Sequence, residues 1–212
     1  MSADLAGRTV VIVAVGAPLH AALVEAFAAH GATVAAVEDG GFDQELETLV
    51  RDDRQLDALI HGAPAVPPLA TLEDYSEAHL LAAVSRGAWP VFSCLLRAKT
   101  VLGRFPRHTV ALSSSAVDRA EVGADFSAAA GAVLETLCRY WSQRLATEGA
   151  HFNLIRHRAL SAATPGDVAK AAVALCSGWM DSMNGHVLTV DRGAGFCDNV
   201  FRRSAERAQP GF

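Results

Sequence analysis

The stretch Val11–Leu23 reads VIVAVGAPLHAAL. Its first residues are apolar without alternation and rich in valine and isoleucine, the pattern of a strand buried on both faces of a parallel sheet. A turn with one glycine, Gly16, follows. Apolar residues then recur at Leu19, Ala22, Leu23, Ala26 and Phe27, a helical spacing that Gly31 ends. Strand, turn and helix in this order open a βαβ unit. In such a unit the turn lies at the end of the sheet where ligands bind. Pro18 and His20 crowd the start of this helix.

Outward from this unit the same alternation continues. The spacing predicts strands over Ala32–Val37, Leu56–Ile60, Thr109–Leu112, Phe152–Ile155 and His186–Val190. Helices are predicted over Phe42–Arg51, over a long region from Thr71 with Asp74 to about Val101, over Phe126–Thr147, and from Thr164-Pro165 to about Ser177. Pro90 kinks the second of these or begins a new helix, because proline lacks the amide donor. The pattern implies an α/β fold: one Rossmann-like, three-layer domain over 1–212, with a mostly parallel sheet of about six strands ordered 2-1-3-4-5-6. Residues 195–212 form a polar, arginine-rich tail. The loops at the carboxyl ends of the strands, Ala14–His20, Glu38–Phe42, His61–Pro64, Ser113–Asp125 and Arg156–Ser161, are where a ligand belongs.

Composition narrows the function. The chain has 212 residues and a net charge of −5, which gives no electrostatic reason to expect nucleic acid or an anionic membrane as partner. No apolar run reaches the roughly 20 residues that span a bilayer, and the N-terminus has no apolar signal core. Cys94, Cys138, Cys176 and Cys197 are far apart and read as reduced thiols of a cytoplasmic protein, with no metal spacing among them.

The sequence resembles the short-chain dehydrogenase/reductase family over nearly its whole length. GRTVVIV…EAFAAHGATVAAVE is similar to that family's first βαβ unit, LDALIHGAPA to its strand ending in NNAG, and HTVALSSSAV to its serine-bearing strand. LETLCRYWSQRLATEGAHFNLI is similar to its long interface helix, and ATPGDVAKAAVALCSGWMDSMNGHVLTVDRGAG to its C-terminal region. The resemblance implies where functional residues should stand. The phosphate-binding TGxxxGxG falls on Val13, Ala14, Pro18 and His20, so its three glycines are replaced and only the nearby Gly16 remains. NNAG becomes His61-Gly62-Ala63-Pro64. Glu38 stands where NAD-using members carry the acid that binds ribose hydroxyls. The catalytic tyrosine and lysine positions fall on Ser127 and Gly131, the asparagine position on Ser85, and the serine survives as Ser114. Between Glu38 and His61 only 22 residues remain, too few for the family's usual extra edge strand and helix. The substrate-covering lid between Asn153 and Thr164 is nearly absent.

Three functional expectations follow. The first is a non-catalytic subunit, a pseudoenzyme with no bound NAD(P) and no metal. It assembles with itself or with an active dehydrogenase/reductase through the retained interface helices, where Trp89, Tyr140 and Trp141 lie. Its tail, with Phe196, Phe201, Arg202, Arg203 and Arg207, either reaches over a partner or frays. The second is a repurposed enzyme that uses His20, His61 and His157, all in strand-end loops, for acid–base or anion chemistry. The third is an NAD(P)-dependent oxidoreductase with unusual motifs.

Overall fold

The computed structural model describes residues 4–38, 40–62, 72–118, 123–157 and 165–191. The tail, Ala63-Pro64, Arg158 and the Thr164 cap lie outside these residues. Six strands form one sheet: β1 (Thr9–Val13), β2 (Thr33–Val37), β3 (Ala58–His61), β4 (His108–Ser114), β5 (His151–His157) and β6 (Val187–Val190). Their order is β2-β1-β3-β4-β5-β6, and every pair is parallel. Among the described residues no strand lies outside β2.

The pleat divides β1 between two cores. Val10 and Ile12 face one layer, Val11 and Val13 the other, and all four are buried. On the first face pack α1 (Ala17–Ala29), through Leu19, Leu23 and Phe27, and α6 (Pro165–Cys176), through Val168, Ala172 and Val173. On the second face are α2 (Phe42–Arg51), α4 (Trp89–Leu102) and α5 (Asp125–Ala146). They contribute Phe42 and Leu46, Val91, Phe92 and Leu95, and Leu134 and Cys138. A shorter helix, α3 (Glu77–Gly87), lies against α4 and α5.

The helical region after residue 71 is two helices rather than one. Pro90 sits in the first turn of α4, where its missing amide costs nothing. Of the start predicted at Thr71 and Asp74, Thr71 lies outside the described residues; Leu72–Asp74 makes one 3-10 turn, and Ser76 caps α3 by accepting from the His79 amide at 3.3 Å. A serine side chain in reach of the third helical amide is the better cap. Trp141 is partly buried against the core, with its ring centroid 4.8 Å from that of Phe92, while Tyr140 and Trp89 stay exposed. No single helix among the described residues is long and apolar enough to cross a membrane.

Candidate active site

The turn after β1 links the strand to α1 at the place where the resemblance puts the phosphate loop. Ala14, at the family's first glycine position, has φ +54. This is the left-handed region that an L side chain occupies at a cost of roughly 1–2 kcal/mol. Its amide donates to the Val37 carbonyl at 3.1 Å, which ties the turn to the end of β2. Val15 turns inward and is buried, while Gly16, Ala17 and Pro18 are exposed. Gly16 is the cap residue of α1, and its carbonyl accepts from the Leu19 and His20 amides at 3.2 and 3.0 Å. Pro18 in the first turn removes one of the amides that would point at an anion. Glu38 follows β2 with its side chain exposed, and its carbonyl accepts from the Gly41 amide at 3.0 Å.

The β3 loop meets this turn backbone to backbone. The Gly62 amide donates to the Val13 carbonyl at 2.9 Å. A Cβ at Gly62 would overlap the Ala14 carbonyl oxygen and lie 2.9 Å from the Ala14 carbonyl carbon and 3.1 Å from the Val15 Cα. Gly62 is therefore a close-approach glycine, a role that its place in the NNAG-like stretch does not announce.

The positions expected to carry the catalytic groups hold three serine hydroxyls and a glycine, with no phenol and no ammonium group. Ser114 ends β4, and its hydroxyl accepts from the Ala116 amide at 3.2 Å, capping the 3-10 turn Ser115–Val117. Ser127 is half-buried in the first turn of α5, and Ser85 is exposed on α3. Gly131 is buried, and a Cβ there would lie 2.6 Å from Val117 Cγ2 and 3.2 Å from Ser113 Oγ. Where the family has a lysine, the Val117 side chain takes the space beside the helix backbone. Gly131→Ala is expected to lose about 1–3 kcal/mol of stability through overpacking. Pairing it with Val117→Ala should recover most of that loss in a denaturant titration, and strict additivity of the two changes would contradict this packing.

Beside Gly131 stands a group that sequence reasoning missed. Arg156 on β5 donates from Nε to Glu135 Oε1 at 2.9 Å and from Nη2 to Glu135 Oε2 at 2.6 Å, and its Nη1 donates to Asp118 after the 3-10 turn. Glu135, one helical turn after Gly131, is only 3% exposed. Burial raises its carboxyl above the ordinary range while Arg139 and Ser113 pull it back, and burial lowers the Arg156 guanidinium. The two-bond fork is the geometry of an ionised pair. The available signal was a lone acid on the buried stripe of Ala130, Gly131, Leu134 and Cys138. At the start of α5 the Tyr75 hydroxyl donates to Asp125, and its ring stacks on Phe126 at 4.8 Å. The bond to Asp125 raises the Tyr75 phenol.

The three histidines are not gathered by the sheet. His61 ends β3 opposite Ala111, and His157 ends β5 opposite Ser114, with β4 between them. Two strand spacings separate them laterally, about 10 Å, and three residues along the strand separate them lengthwise, again about 10 Å. His20 lies on α1. Among the described residues no three His, Cys, Asp or Glu side chains form a group able to hold a metal ion.

Solved structures share this fold. One is the Bacillus cereus enoyl-acyl carrier protein reductase with NADP+ and indole naphthyridinone. It is 18% identical, with a TM-score of 0.77 over 92% of this chain and 99% of that one. Another is the enoyl-[acyl-carrier-protein] reductase (NADH) from Aquifex aeolicus VF5, 21% identical, with a TM-score of 0.76 over 91% and 98%. No curated protein matches the sequence. These neighbours correct the expectation of no cofactor, which rested on replaced glycines: the fold holds NADP+ in the first and serves an NADH enzyme in the second. The turn itself is compatible with this, because Ala14 takes the left-handed conformation that glycine favours and nothing lies within 4 Å of a Cβ at Gly16. A family model described as Enoyl-(Acyl carrier protein) reductase matches residues 2–161, and with that match the chain belongs to the short-chain dehydrogenase/reductase family.

Proposed function

We propose that this chain is a dinucleotide-binding subunit that does not run the family's proton-transfer step alone and that works by assembling with itself or with an active reductase. The observation that carries this reading is Gly131. Reduction across a polarised double bond needs a proton donor of suitable acidity, and the family's pattern tunes that donor with a lysine. Here the tuning position has no side chain and no room for one. The residues present fit the phosphate-bearing half of a nicotinamide dinucleotide: the left-handed Ala14, the exposed Gly16 at the α1 terminus, and Glu38 beyond β2. They would hold it, and the bound group would supply hydride. Assembly is supported by the exposed Leu81, Trp89, Leu96 and Tyr140 on α3, α4 and α5. Aromatic and large apolar side chains left open to solvent are what subunit contacts use.

Calorimetric titration with NADH and NADPH, with an assay of the same preparation on an enoyl thioester, tests both halves. Binding in about the micromolar range without turnover is the expected result. Turnover by the chain alone would overturn the non-catalytic half, and behaviour as a lone monomer in sedimentation and pull-down would overturn the assembly half. One contact favours a second reading, a reductase with a relocated phenol: Tyr75 comes from outside α5 yet packs on Phe126, the residue before Ser127. Turnover that Tyr75→Phe abolishes would select that reading.

A further inference from the structure

At the opposite end of the sheet, a buried imidazole stacks on a partly buried one. His108 and His151 begin β4 and β5 and are register partners, and their rings stack at 5.3 Å with an interplanar angle of 16°. His108 is 2% exposed, and neither of its ring nitrogens has a hydrogen-bond partner; His151 Nδ1 is likewise buried and unpartnered. The nearest carboxylate is Asp181, whose Oδ1 lies 3.8 Å from His108 Nε2, beyond hydrogen-bond reach, and whose Oδ2 accepts from Arg107 at 3.0 Å. Arg8 donates to the Cys176 carbonyl at 2.9 Å, and its charge disfavours a second one on His108. The Cys176 thiol is neutral, with its pKa pushed up to about 12 by burial. His108 is therefore faced by the charges of Arg107 and Arg8 and by Asp181, whose Oδ1 has no hydrogen-bond partner.

The segment that carries Asp181 runs from the end of α6 to β6, and its two halves are held differently. Met183–His186 is tied to β5 and α5. The Asn184 side chain bonds the Phe152 amide and the Ser142 carbonyl, the Asn153 side chain bonds the Met183 carbonyl and the His186 amide, and the Gly185 amide bonds the Phe152 carbonyl. Ser177–Ser182 meets the sheet mainly through Arg107–Asp181 and the partly buried Met180, and it turns at Gly178, with φ +93.

We propose that the stacked His108–His151 pair is an acid-released latch for the Ser177–Ser182 segment. While the segment is closed, His108 has no acceptor within hydrogen-bond reach for a second N–H, Asp181 Oδ1 standing off at 3.8 Å, and it is shut off from bulk water. A proton is taken up more readily in conformations where the segment has lifted and the ring is wet. Burial lowers the closed-state His108 to about 4; Asp181 opposes this, and His151, Arg107 and Arg8 add to it. The closed pKa is below the open one, so closure is fully favoured above about 6.5 and is lost as pH falls from there towards 4. On these values the open population rises about twentyfold between pH 7 and pH 5.

Hydrogen exchange of the full chain, corrected for the intrinsic pH dependence of amide exchange, reads this directly. Residues 177–182 should lose about twentyfold in protection at pH 5, while Val110–Leu112 and Met183–His186 keep theirs. His108→Gln, which cannot take the proton, should abolish the difference. Should that variant fold poorly, the ring proton resonances of the unaltered chain serve instead: His108 should shift only in step with the opening of 177–182. Unchanged protection at pH 5 would overturn the latch. So would an equal loss in His108→Gln, a parallel loss in Val110–Leu112, or free titration of His108 near its ordinary value with the segment closed.

Discussion

Gly62→Ala is expected to cost about 3 kcal/mol, the upper end of what overpacking does. That lowers the melting temperature by roughly 6–12 °C for a chain of this size. The added methyl meets backbone on every side: the Ala14 carbonyl group and the Val15 Cα, all within 3.1 Å. A flexible side chain could rotate away, but a carbonyl at the end of a buried strand cannot. The strand also has little freedom to retreat. The Gly62 amide already holds the Val13 carbonyl, and Ala14 already sits at φ +54, so relief on one side strains the other. The same displacement would reshape the phosphate turn. NADH affinity should therefore fall with stability in Gly62→Ala, whereas Gly131→Ala should lower stability and leave NADH affinity alone. A Gly62→Ala chain with unchanged melting and unchanged titration would mean that the two loops can part freely.

The sheet was legible because its strands are nearly uniform. Runs such as Val10–Val13 and Leu59–Ile60 are buried on both faces, and only a central parallel strand needs that pattern. Pro90 was legible as a helix start for the same kind of reason, since it has only one comfortable place in a helix. The cofactor reading failed at Ala14. Sequence shows that a glycine is replaced; it does not show that the replacement keeps the left-handed backbone, because alanine rarely adopts it. The loss of the lysine was visible as Gly131. That Val117 closes the space was not visible, because the complementarity joins a helix to a turn fourteen positions away and leaves no periodic trace. The histidines at strand ends looked alike in the sequence. The register separates His61 from His157, and the pair that does meet, His108 with His151, stands at the other end of the same strands.

Breaking the Arg156–Glu135 pair should have the largest effect. Either Glu135→Leu or Arg156→Met leaves a charge buried without its partner, at a cost of about 3–5 kcal/mol. The double replacement should cost far less than the sum, because two apolar side chains of similar volume need no compensation. The reasoning is one of desolvation. Glu135 is 3% exposed, so its carboxylate has the guanidinium fork, with Arg139 and Ser113 acting beside it, in place of water. The contact with Asp118 is different in kind. Asp118 is largely exposed, and Asp118→Asn should change stability by about 1 kcal/mol or less. A double-mutant cycle in urea reads all three. A large coupling between 135 and 156 with a small one between 118 and 156 would show that the pair fixes α5 on β5 beside Gly131, with the turn carrying Val117 resting on it. Additive costs at 135 and 156 would show instead that water reaches the carboxylate, and that the floor of this site is open.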